Sequence, residues 1–130
     1  MANKIRAISE GLSVPAAIHT ANLAKGTFVK ITADAKVDAA NAEDDLVVGF
    51  VRKTSRTADG SGTIETRFDL LVDQKCSGAI AAGDRVKNGT ASGGVQTFKK
   101  WIAGTDNPHL IVGVCWIGAA DTATGTFLVE

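Results

Sequence analysis

The chain states one short pattern twice. Ala24-Lys25-Gly26-Thr27-Phe28-Val29-Lys30 returns as Ala81-Ala82-Gly83-Asp84-Arg85-Val86-Lys87, with the glycine and the Val-Lys pair in register. Each copy is followed by an apolar run broken by one glycine: Leu46-Val47-Val48-Gly49-Phe50-Val51, then Leu110-Ile111-Val112-Gly113-Val114-Cys115. The first glycine pair, Gly26 and Gly83, lies 57 residues apart and the second, Gly49 and Gly113, 64 apart; an insertion of seven residues in the second half accounts for the difference. Each half therefore reads as a turn, a strand, a variable insert and a buried strand. Short strands punctuated by turn signals build sandwiches or barrels, and a closed barrel leaves few exposed edges. The expected fold class is all-β: a small β-barrel or β-sandwich with an internal two-fold repeat.

Composition narrows the function. Basic and acidic residues balance at 14 each in 130 residues. Nucleic-acid binding draws most of its affinity from an excess of cations over phosphates, so no nucleic-acid partner is expected. Fourteen glycines against two prolines suit a chain with many tight turns. Met1-Ala2-Asn3-Lys4-Ile5-Arg6 lacks the apolar stretch of a signal peptide. The longest apolar run, Leu110 to Ile117, is far short of the roughly 20 residues that span a bilayer, so no membrane partner is expected. Cytoplasmic synthesis then leaves Cys76 and Cys115 as reduced thiols.

Along the chain, residues 1 to 20 carry spaced apolar side chains without a clear period and read as an irregular N-terminal arm; residues 21 to 130 read as one β-domain. Gly26 to Ala33 is a strand, Asp34 to Asp45 a loop or one helical turn, and Leu46 to Lys53 a strand. Thr54 to Gly62 reads as a hairpin connection around Asp59-Gly60. Ile64, Thr66, Phe68, Leu70 and Val72 then alternate with mostly charged residues, which predicts one strand from Thr63 to Asp73. Arg85 to Lys87 is a short strand ended by an Asn88-Gly89 turn, and Val95 to Ile102 another strand. Leu110 to Ile117, apolar on both faces, reads as a central strand covered from both sides. Thr124 to Val129 closes the domain.

No catalytic pattern presents itself. Gly60-Ser61-Gly62 and Gly93-Gly94 lack the lysine of a phosphate-binding loop, and a nucleophile elbow is absent. His19, His109, Cys76 and Cys115 are scattered singly, without the close ligand pairs of a zinc site, and Cys115 lies in the most apolar run, where burial keeps a thiol inert. Glu43-Asp44-Asp45 lacks the ligand alternation of a calcium loop and reads as a solvated connection. Neither a cofactor nor a metal is expected, and no enzymatic activity. Lys99-Lys100-Trp101 is the one basic-aromatic juxtaposition. Alternation sets Trp101 opposite Phe98 and Ile102, so one of these faces is outside; large apolar groups held outside a small domain meet a partner subunit. Phe98, Trp101 and Ile102 are therefore the candidate subunit interface.

Gly26-Thr27-Phe28-Val29 with Val48-Gly49-Phe50, then Gly83-Asp84-Arg85-Val86 with Val112-Gly113-Val114, resemble the small head-decoration (capsid cement) proteins of tailed bacteriophages. In that group a Gly-x-x-Val turn leads to a Val-Gly-Phe/Val strand, then a Gly-Asp-x-Val turn to a final Val-Gly-x-Ala-like strand. The resemblance runs from about Ala24 to Glu130. The N-terminal arm and the stretch from Val95 to His109 depart from the group's pattern. The resemblance implies a non-enzymatic virion protein, bound through the major capsid protein to the outer surface of the expanded head. It also implies a homotrimer over capsomer junctions. The arm would then order on the capsid, with Lys4, Ile5, Arg6, Ile8 and Leu12 as the candidate capsid-binding residues. Two alternatives share the composition: a tail or baseplate component, and a carbohydrate-binding module using Trp101 or Trp116.

Overall fold

The computed structural model describes residues 4–8, 13–18, 23–34, 36–51, 61–65 and 70–129. Their strands are β1 (Lys4–Ile8), β2 (Ser13–Ile18), β3 (Phe28–Ala33), β4 (Lys36–Ala39), β5 (Gly49–Val51) and β6 (Ser61–Glu65), then β7 (Leu70–Ser77), β8 (Arg85–Ser92), β9 (Val95–Lys100), β10 (Gly113–Ile117) and β11 (Thr124–Val129). A single 3₁₀ turn, Pro108–Leu110, interrupts the pattern among the described residues. The fold is all-β, as the repeat predicts. Strands β2, β4, β3, β5 and β6 close into one barrel. Strands β7, β11, β10, β8 and β9 form a second run whose last member returns to β7, and β1 lies outside on β7.

The two rings share one topology. Each has a single parallel contact, β2 with β4 and β7 with β9, and is antiparallel elsewhere. The register repeats too. Val29 faces Gly49 as Val86 faces Gly113, and Phe28 faces Phe50 as Arg85 faces Val114. The entry turns superpose in detail: Gly26 and Gly83 both hold φ 89°, a region open to glycine at little cost. In the first, Thr27 N–H donates to Ala24 O at 3.1 Å, and in the second Asp84 N–H donates to Ala81 O at 3.1 Å. Five core side chains correspond in turn: Leu23, Val29, Val37, Val51 and Ile64 with Ile80, Val86, Phe98, Cys115 and Phe127. The second core is the bulkier, with phenylalanine where the first has Val37 and Ile64.

Register also locates the seven extra residues. Between paired positions, two residues (34–35) connect β3 to β4, where six (91–96) extend the β8–β9 hairpin. Nine (40–48) connect β4 to β5, where twelve (101–112) connect β9 to β10. The insertion is four residues in a hairpin and three in a loop.

Several expectations from the sequence are corrected. The N-terminal segment is not an irregular arm at Lys4–Ile8 and Ser13–Ile18: β1 pairs with the first half of β7, and β2 is a stave of the first barrel. Asp34 to Asp45 contains β4, because Val37 fills the first core. The alternating stretch from Thr63 to Asp73 is two strands, β6 and β7, each in a different barrel; Phe68 lies outside the described residues. The parity still held, since Ile64, Leu70 and Val72 are all buried. Asn88-Gly89 is strand interior; the chain reverses at Gly93-Gly94, both at positive φ as a type I′ turn requires. Residues 54–60 of the expected Thr54 to Gly62 connection, like His19, lie outside the described residues, while Ser61 and Gly62 already belong to β6.

Candidate functional site

The seam between the barrels is built by residues that the repeat left unmatched. Phe28 and Phe50 alternate with the inward Val29 and Val51, so they project from the first barrel, and both are buried in the second barrel's core cluster. The Phe28 ring lies 5.4 Å from Phe98, which meets Phe127 edge-on at 5.1 Å. The longer β8–β9 hairpin clasps the intruding strand. Gln96 Oε1 accepts from Phe28 N–H at 2.9 Å and Gln96 Nε2 donates to Phe28 O at 2.8 Å, so one amide replaces a ladder rung. Asn88 Nδ2 donates to Ala40 O and Ala42 O, and Ala91 N–H to Asn41 O.

Charge closes the rim of this seam. Lys87 Nζ is 2.8 Å from both Asp44 Oδ1 and Asp106 Oδ1, and its side chain is only 4% exposed. Lys99 pairs with Glu43. Burial alone would lower the Lys87 ammonium; its hydrogen bonds to Asp106 and Asp44 and their charges outweigh that and raise it above its ordinary value. The Lys87 hydrogen bond, and then the Ile102 N–H, hold the Asp106 carboxyl below its usual range. The acidic stretch Glu43-Asp44-Asp45, expected to be a solvated connection, instead pairs with Lys99, Lys87 and Lys30 in turn. It is the first barrel's grip on the second. Lys30 with Asp45 at 3.0 Å is the first barrel's own version of the Lys87–Asp106 pair.

Outside the seam, the second barrel presents a cleft of mixed polarity and an exposed apolar pair. A cleft of about 540 Å³ is lined by Gly83, Arg85, Ile111, Val112, Gly113 and Val114. A register shift between Cys115 and Ile117 marks a bulge at Trp116, and Trp116 and Ile117 are 60% and 57% exposed. Bulges re-aim side chains in this way. The expected central strand from Leu110 to Ile117, covered on both sides, is corrected: Leu110 ends the 3₁₀ turn, the strand begins at Gly113, and only Val112 and Cys115 of the run are buried. Cys115 and Cys76 are buried free thiols whose pKa values burial raises. His109 is exposed in the 3₁₀ turn. Among the described residues no group of His, Cys, Asp or Glu is placed to hold a metal ion.

The candidate interface residues separate. Phe98 is 0% exposed, so its place in a subunit interface is corrected: its ring is consumed between Phe28 and Phe127. Trp101 is half-buried, with Nε1 donating to Asn107 O at 3.0 Å, and Ile102 is exposed. Lys4, Ile5, Arg6 and Ile8 share β1, whose backbone registers Lys4 with Asp73 and Ile8 with Leu70. Leu12 lies outside the described residues. The sequence reading missed the Arg85–Val114 cleft and the seam, although Phe28 in the first copy standing where the second has Arg85 was the available signal.

No family model and no curated protein matches this chain. Among solved structures it is similar to the head fibre gp8.5 N base of bacteriophage phi29, with a TM-score of 0.55 at 16% identity. The likeness is one of fold. It covers 93% of this chain and 95% of that one, so both barrels take part in it.

Proposed function

We propose that this chain is a structural component of a phage head, seated on the outer surface of the expanded shell and cementing it there. The observation that carries the reading is the likeness to the phi29 head fibre base across both barrels. The turn-and-strand signature of head-decoration proteins, repeated at matching register, supports it independently. In this reading the protein is no enzyme, its partner is the major capsid protein, and three copies assemble over a capsomer junction. A protein that binds the expanded shell and not its immature form stabilises the expanded form by mass action.

The test is location. The protein should co-purify with virions, and images of intact heads with and without it should differ by density on the outer shell. Density on the tail or baseplate would replace this reading with the other virion one. The exposed Trp116 favours a carbohydrate-binding alternative, yet its neighbour Ile117 is apolar and equally exposed, which suits a protein face better. A glycan array that lights up, and goes dark on Trp116→Ala, would favour the sugar.

A further inference from the structure

One outward row of positions recurs in both barrels. In the first, Phe28, Phe50, Glu65 and Ser13 lie side by side across β3, β5, β6 and β2. In the second, the same positions are Arg85, Val114, Leu128 and Leu71, across β8, β10, β11 and β7. The first row is a docking face, because its Phe28 and Phe50 are buried in the second barrel's core cluster. The second row is open: Arg85 and Leu128 are exposed, and Trp116 and Ile117 extend it at 60% and 57% exposure.

A second copy of this chain has no seat for the open row of the kind the first row uses. That seat is lined by Phe98 and Phe127, and each chain fills it with its own Phe28 and Phe50. The matching first-barrel positions, Val37 and Ile64, are themselves buried. The occupant is therefore a different molecule, and charge describes it. Lys30, Lys87, Lys99 and Lys100 each reach a carboxylate. Arg85 and Lys75 make no ion pair among the described residues, and both stand on this face. Arg85 ends the row at β8; Lys75 follows Leu71 and Asp73 on the outward side of β7. Asp73 is already engaged, accepting from Thr126 Oγ1 at 2.8 Å. Two such faces set against each other would crowd unmatched cations into one interface. An apolar face edged by unmatched cations fits an apolar surface that bears carboxylates.

We propose that this outer face of the second barrel is the one laid against the shell, where it meets an apolar, carboxylate-bearing patch of the major capsid protein. The inference rests on the head-protein reading and gives the molecule an orientation within it. The row continues into β1, whose Ala7 registers with Leu71, so the strand holding Lys4, Ile5, Arg6 and Ile8 belongs to the same sheet.

Co-sedimentation of the full chain with expanded heads stripped of it tests the proposal. Ile117→Glu and Arg85→Glu should each weaken head binding about tenfold or more while keeping the wild-type circular dichroism and urea midpoint. Ile31→Glu, at a first-barrel position 65% exposed, should bind heads like the wild type. Added salt should weaken wild-type binding, and Arg85→Gln combined with Lys75→Gln should flatten that dependence. Head binding that Ile117→Glu and Arg85→Glu leave intact, or that Ile31→Glu weakens equally, overturns the proposal and leaves the head-protein reading standing. Self-association of the free chain that Ile117→Glu abolishes also overturns it, since a second copy would then occupy the face. A wild type that binds no head overturns the head-protein reading and this inference with it.

Discussion

The Phe98 ring anchors the first barrel in the second barrel's core, touching the intruding Phe28 on one side and Phe127 on the other. Phe98→Ala should therefore cost about 3–5 kcal/mol, read as a lower urea midpoint at unchanged slope. Lys87 and Asp106 each contribute a pH-dependent share of stability. Asp106 titrates below its ordinary 3.8 in the folded chain, so its contribution is complete above that value and is lost as pH falls through the lowered one. Lys87 titrates above its ordinary 10.5, so its contribution is complete below that value and is lost as pH rises through the raised one. Lys87→Met should lower the urea midpoint at neutral pH and flatten the decline on both the acid and the alkaline side.

Elements show how much the sequence could tell. Gly49 and Gly113 mark equivalent rungs, and the reason lies across the strand pair. A Cβ on Gly113 would stand 2.1 Å from Leu128 O and 2.9 Å from Val129 Cα, contacts that only a parting of β10 from β11 could relieve. Gly113→Ala should cost roughly 1–3 kcal/mol or more by overpacking, measured by urea unfolding. The repeat was legible because its turns and inward valines obey local rules. The strand faces at Ile64, Leu70 and Val72 were legible from alternation alone. Where one barrel ends and the next begins was not, since alternation runs unbroken from Ile64 to Val72 while the partner strands change. Nor was β4, whose lone buried Val37 carries no period. The seam escaped for another reason: Phe28 and Asn88 are spent on contacts 46 to 70 positions away, and no local pattern records a long-range partner.

At the scale of the molecule, β1 and β2 have different duties. β1 adds to the outer edge of β7, while β2 bridges β4 and β6 and is needed to close the first barrel. Removal of residues 1–20 should therefore unfold the first barrel, and removal of 1–9 should spare it. Circular dichroism and a thermal melt distinguish the two truncations. Only the shorter one is a fair test of β1 in capsid attachment. Phe28 has a further consequence. A cut between the halves would strand two phenyl rings in water on one fragment and open the hydrophobic interior of the other. Neither fragment is a sound protein by itself, so the two barrels must fold and survive as one unit.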